Sequence, residues 1–137
     1  MSDPNIDSAL TSAYVVGGFD STPTEYPNRE FKPVAGKDWN QIHLMPSESE
    51  QASLGVAGSD KESGSFQITL NTPKYSGDGD ILDRARAIKS HYQQNNTLSY
   101  NGITVNISTI TIHAGFISEN WYKVPVRINY NAYLQRG

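Results

Sequence analysis

The chain has 137 residues, a formal net charge of −3 at pH 7 and no cysteine. This length fits one domain with a real hydrophobic core, the mild acidity argues against nucleic-acid binding as the main activity, and the lack of cysteine excludes disulfides and cysteine-ligated zinc. No apolar run approaches the roughly 18 residues of a membrane span and no signal-peptide pattern begins the chain, so we expect a soluble protein made in a cytoplasm, without membrane contact.

The N-terminal half begins with a short predicted helix and continues into two predicted strands. Four apolar residues recur at helical spacing before Gly17 and Gly18 end the helix; they are Ile6, Ala9, Leu10 and Ala13. Turn-forming residues dominate 20–38. Residues 39–45 and 64–71 then show the alternating side-chain pattern of strands, and we expect these two segments to pair as a hairpin.

The connection between those two strands, residues 46–63, has no strand or helix period. It carries four carboxylates and two isolated apolar residues able to anchor in a partner's groove; these are Glu48, Glu50, Asp60 and Glu62, with Leu54 and Val56. Connections of this length are usually functional or mobile. We therefore expect a mobile loop, and the sequence leaves open whether it contacts a partner or is a passive tip.

The C-terminal half contains a predicted helix and a predicted hairpin. Residues 80–93 place Ile81, Ala85, Ile88 and Tyr92 on one helical stripe. The pair Asn101-Gly102 supplies the two positive φ angles of a tight hairpin turn. The apolar residues change parity near Ser108-Thr109, which predicts a β-bulge.

Residues 121–133 form the clearest strand of the chain. One parity is apolar, with Tyr122, Val124, Val126, Ile128, Tyr130 and Ala132, and the other is polar. Pro125 lies on the polar parity and cannot donate a ladder hydrogen bond, so it predicts an edge position, a bulge or a local gap in pairing.

These elements predict a single α+β domain over residues 1–137, in the order α-β-β-α-β-β-β. We expect a largely antiparallel sheet of about five strands, with both helices packed on one face.

Chemical motifs are sparse. The three histidines, His43, His91 and His113, are far apart and none has a partner at metal-ligand spacing. Phosphate loops, dinucleotide fingerprints and nucleophile-elbow motifs are absent from the sequence. We therefore expect no enzymatic activity, no cofactor and no structural metal.

Several packing and turn motifs resemble those of the tail terminator proteins of long-tailed phages, in the lambda-type group. The matching stretches are Tyr26-Pro-Asn28 with Phe31-Lys-Pro33, Ile42-His-Leu-Met-Pro46 with Leu54-Gly55, Gly64-Ser-Phe-Gln-Ile68, Pro73 with Gly77-Asp-Gly79, and the final strand from Trp121 to Tyr130. The resemblance covers about residues 26–133 and contains no catalytic signature.

The resemblance implies a structural protein of the virion, assembled in the host cytoplasm and located at the head-proximal end of the tail. Such proteins form a ring, usually of six subunits, that caps the tail tube and stops its polymerisation. The implied partners are further copies of the chain, the tail tube protein and a head-completion or neck protein, while DNA passes through the ring without specific binding. The candidate interface residues are Glu48, Glu50, Leu54, Val56, Asp60, Glu62, Arg84 and Arg127.

Two other readings remain open on the sequence. The chain could be another neck or tail component, such as a head-completion protein or a tube subunit. It could also be a small-molecule-binding domain or enzyme that uses the concave face of the sheet. A deep pocket with convergent polar groups would favour that last reading.

Overall fold

Two helices lie on one face of a mixed eight-stranded sheet in the computed structural model, which describes residues 4–27, 29–46, 50–51, 59–77 and 79–135. In chain order the elements are helix α1 (Pro4–Val16), a 3-10 turn (Phe19–Ser21), strands β1 (Thr24–Glu25), β2 (Trp39–Pro46), β3 (Glu50–Gln51) and β4 (Ser59–Pro73), helix α2 (Gly79–Gln94), and strands β5 (Thr97–Tyr100), β6 (Ile103–Ile112), β7 (Phe116–Ser118) and β8 (Trp121–Gln135). Within the described residues, no helix is long and apolar enough to cross a membrane.

The sheet is antiparallel except at one edge. Its strand order is β1-β2-β4-β8-β6-β5, with β3 paired to β4 and β7 paired to β8. Only the two-residue β1 runs parallel to its neighbour β2. The prediction of a largely antiparallel sheet in one α+β domain with both helices on one face is therefore confirmed.

Strands β4 and β8 form the centre of the sheet. They pair along their whole length, from Ser59 opposite Gln135 to Pro73 opposite Trp121. Every apolar residue of the β8 stripe from Val124 to Ala132 is buried, as alternation predicts.

Pro125 lies in a central strand, so the prediction of an edge position is wrong. The prediction of a local gap in strand pairing at Pro125 is confirmed. Strand β6 ends at Ile112 opposite Val126, and β7 begins with Phe116 opposite Lys123. The carbonyl of Pro125 faces the intervening turn and accepts from the amide of His113 at 2.9 Å. Because the amide and carbonyl of one residue point the same way in an antiparallel strand, the donor that proline lacks would also face this gap.

The core lies between the sheet and the two helices. Apolar rows cross the sheet in register, for example Ile42, Ile68, Val126 and Ile112. The helices contribute buried residues that pack on these rows: Ile6, Ala9, Leu10, Ala13 and Tyr14 from α1, and Ile81, Ala85, Ile88 and Tyr92 from α2. Each large apolar side chain buried in this way stabilises the fold by roughly 1.5–3 kcal/mol.

The two helices also contact each other through polar groups. The Tyr92 hydroxyl donates to the carbonyl of Leu10 at 2.8 Å, and Nε2 of His91 lies 2.8 Å from the carbonyl of Ala13. Burial raises the pKa of Tyr92, so the phenol stays protonated and remains a donor. These contacts fix α1 on the sheet, although α1 alone is too short to be a stable helix.

Two local features of the C-terminal hairpin agree with the sequence. Asn101 and Gly102 have φ angles of 49° and 82°, the positive pair that a tight turn between β5 and β6 requires. The register of β6 against β8 shifts between Ile107 and Thr109, which confirms the predicted bulge.

The prediction for residues 46–63 is partly wrong. Residues 59–63 extend β4, because the long β8 supplies ladder partners even for a polar segment, and residues 50–51 form β3 beside it. Glu50 therefore lies in β3, and Asp60 and Glu62 lie in β4 at positions opposite Leu134 and Ala132. The other candidate residues of this segment, Glu48, Leu54 and Val56, lie outside the described residues.

The prediction of about five strands omitted three short ones, β1, β3 and β7. Each contains two or three residues. A segment of this length carries no measurable alternation, so its pairing depends on a neighbouring strand that is already in place.

Candidate functional surface

The face of the sheet opposite the helices is polar, and we name it the open face. It consists of Gln41, His43, Ser65, Gln67, Thr69, Asn71, Thr109, Thr111, Lys123, Arg127 and Asn129. These residues occupy the strand positions that alternate with the core positions, so β-strand parity alone sets their side. The set contains two cations, one histidine, and several amides and hydroxyls. The carboxylate of Glu25 in β1 borders it and accepts from Nε2 of Gln41 at 2.7 Å.

Cross-strand hydrogen bonds order the middle of the open face. Ser65 Oγ donates to Oδ1 of Asn129 at 2.7 Å, and Nδ2 of Asn129 donates to Oγ1 of Thr109 at 2.8 Å. One row below, Nη2 of Arg127 donates to Oε1 of Gln67 at 3.3 Å. Amides fixed in this way give a polar surface with defined donors and acceptors.

Aromatic residues border the open face at the Trp39 end. The Trp39 and Trp121 rings meet edge to face with centroids 5.7 Å apart, and Nζ of Lys123 lies 5.1 Å from the centroid of Trp39. The same ammonium donates to Oδ1 of the buried Asn71 at 2.8 Å. Burial lowers the pKa of Lys123. Sequence reasoning missed this cluster, because no local pattern connects residues so distant along the chain.

The two candidate arginines lie on opposite sides of the sheet. Arg127 is half-buried on the open face. Arg84 belongs to α2 on the helix side, where its Nη2 lies 3.2 Å from Oδ2 of Asp38. Asp38 also accepts from the Thr72 hydroxyl at 2.7 Å. The fold therefore does not bring Arg84 and Arg127 into one site, and their roles at an interface remain predictions.

The described residues contain no arrangement typical of catalysis or metal binding. No group of three or more His, Cys, Asp or Glu side chains in the described ranges could hold a metal ion. The open face offers no carboxylate pair and no nucleophile next to a base.

One groove of the described chain is open to solvent. It has a volume of about 690 Å³ and lies between α1 and the start of the connection after β1, where Asp7, Val15, Val16, Tyr26 and Arg29 are among its lining residues. An open groove of this kind differs from the enclosed pocket, with a few convergent polar groups, that binds most small molecules. This geometry gives no support to the small-molecule reading.

The sequence matches one known protein family. A family model described as phage tail terminator protein matches residues 5–130. No curated protein matches the sequence. Among the solved structures that match, one superposes with a TM-score of 0.74 at 19% sequence identity and covers 96% of this chain and 96% of that chain. At that identity the structural match shows a shared fold and nothing more.

Proposed function

The chain belongs to the phage tail terminator protein family, and from this premise we propose that it caps the growing tail tube as a ring and stops its polymerisation. The observation that carries the proposal is the extent of the family match, which spans both helices and reaches into the last strand. A family of this kind places the chain among the structural proteins of the phage tail.

We propose a ring of six subunits at the head-proximal end of the tail. One side of the ring would contact the tail tube protein and the other a head-completion or neck protein. The net negative charge of −3 supports a channel through which DNA passes without specific binding. A closed ring needs a heterologous interface, in which two different surfaces of one subunit meet.

Light scattering and tail length together test this function. The purified protein, alone or with purified tail tubes, should form a short ring near about 90 kDa, since one chain has a mass of 15.1 kDa. Phage that lack the protein should make tails of uncontrolled length, and the wild-type protein should restore a uniform length in electron micrographs. Long tubes formed by the protein itself would instead identify a tube subunit. A monomer that never caps tubes would contradict the proposal.

Residues 52–58 are proposed to contact a neighbouring subunit or the tube through Leu54 and Val56. Replacing both with serine should leave the fold intact, because the flanking strands β3 and β4 keep all their residues, and should produce over-long tails after complementation. The control is Ser53→Ala, which changes the same segment without removing an apolar side chain. Uniform tails with the double variant would show that this segment is a passive tip.

A further inference from the structure

Strand β6 has an edge that is only partly covered. Strand β5 pairs with Ile103–Asn106, and the amide of Ile107 donates to the carbonyl of Asn96 at 2.8 Å. Beyond this point, within the described residues, no backbone hydrogen bond reaches the outer side of Ser108–Ile112. This five-residue segment is therefore an open sheet edge.

The hydrogen-bonding direction along this edge follows from a single contact. The amide of His113 donates inward, to the carbonyl of Pro125. Because ladder groups alternate along an antiparallel strand, the amides of Ile112 and Ile110 point outward, away from β8.

The sequence of this edge lacks the usual protection against strand addition. From Ile107 to Ile112 it reads Ile-Ser-Thr-Ile-Thr-Ile, with no charge, no proline and five β-branched residues. Open edges in natural sheets normally carry lysine, proline or an inward charge that prevents pairing with another chain. An unprotected edge of high β-propensity is able to accept a further strand.

A second open edge lies on the opposite side of the sheet. Strand β1 pairs with Asn40 and Gln41 only, and the amide of Asn40 donates outward, to the carbonyl of Pro23, at 2.8 Å. By the same alternation the amides of Ile42 and Leu44 also point outward. The parallel bridge of Glu25 with Gln41 occupies the amide of Ile42, so the open part of this edge begins at Leu44. Among the described residues no strand pairs with Leu44 on that side.

The two edges complement each other. Strand β2 runs antiparallel to β6, since three antiparallel steps, through β4 and β8, separate them. In a head-to-tail ring every copy has the same orientation, so β6 of one copy and β2 of the next would meet antiparallel. The apolar row that ends at Ile110 on one edge ends at Leu44 on the other, through Phe66 and Ile128, so pairing would continue this core row into the neighbour.

We propose that the open edge of β6 takes the open β2 edge of a second copy, so that one sheet continues from subunit to subunit around the ring. The inference rests on the proposed ring function and names the heterologous interface that closes it. The pairing is short, because β5 already covers the far end of β6.

A lysine at the open edge tests the pairing. Thr111 is exposed on the open face within the uncovered segment, so Thr111→Lys should weaken ring assembly by roughly tenfold or more in light scattering. Thr104 is the matched control. It is exposed on the same face of the same strand, but β5 already pairs with it opposite Ser99, so Thr104→Lys should assemble like the wild type. Thermal melts of both variants establish that the subunit is folded.

Hydrogen exchange on the wild-type protein gives an independent measurement. The amides of Ile110 and Ile112 should exchange fast in the dissociated subunit and slowly in the ring, whereas that of Ile107, already bonded to Asn96, should be protected in both. The edge pairing is overturned if the Thr111→Lys variant assembles like the wild type and the amides of Ile110 and Ile112 stay unprotected in the wild-type ring. That result would leave the proposed capping function intact. A protein that stays monomeric even with tail tubes overturns both.

Discussion

Replacing Val126 with aspartate should unfold the domain. Val126 is fully buried in β8, between Ile68 of β4 and Ile112 of β6, under the helices. The substitution removes roughly 1.5–3 kcal/mol of apolar burial and places a carboxylate where no described group can pair with it, which adds several kcal/mol more. Since small domains are stable by only about 5–15 kcal/mol, we expect loss of the cooperative melt in circular dichroism.

Arg127→Asp is the matched control, one residue further along the same strand. Arg127 lies on the open face, and its removal breaks one hydrogen bond to Gln67, so the free energy of unfolding should fall by about 1 kcal/mol. Chemical denaturation of the two variants measures the difference. Equal stabilities would show that the parity of β8 is wrong.

Phe66→Ala should destabilise the fold by about 3–5 kcal/mol, the range for emptying a large buried aromatic site. Phe66 has no exposed surface, lies opposite Leu44 and Ile128 in the sheet, and contacts the Tyr92 ring of α2 with centroids 6.4 Å apart. Its loss leaves a cavity where β4 meets α2, so urea denaturation should show a lower midpoint with an unchanged slope.

Phe116→Ala provides the same chemical change at a different place. The Phe116 side chain in β7 is 49% exposed, so its removal should alter stability by about 0.5 kcal/mol or less. If the two phenylalanine variants lost similar stability, the assignment of the core to the helix side of the sheet would be contradicted.

The features that the sequence predicted correctly are those encoded by local patterns. The stripe of β8, the phase change at Ser108 and the Asn101-Gly102 turn each lie within a short window, where periodicity and φ preference act directly. The helical stripes of α1 and α2 belong to the same class, and their residues are buried.

The features that the sequence did not predict depend on partners distant along the chain. Residues 59–63 are polar and show no strand pattern, yet they extend β4 because β8 is long enough to pair with them. Two side-chain contacts described above also depend on residues that are distant along the chain. Asp38 lies beside Arg84 and Lys123 beside Trp39 only because the sheet and α2 bring those residues together.

The pairing of β4 with β8 also controls the order of events during synthesis. Residues 59–73 find their central partner only in residues 121–135, so the middle of the sheet stays incomplete while the intervening α2, β5, β6 and β7 are made. Contacts so distant in sequence slow folding, because a long loop must close before they form. A nascent chain therefore exposes its apolar sheet rows until the last strand has left the ribosome and can pair with β4.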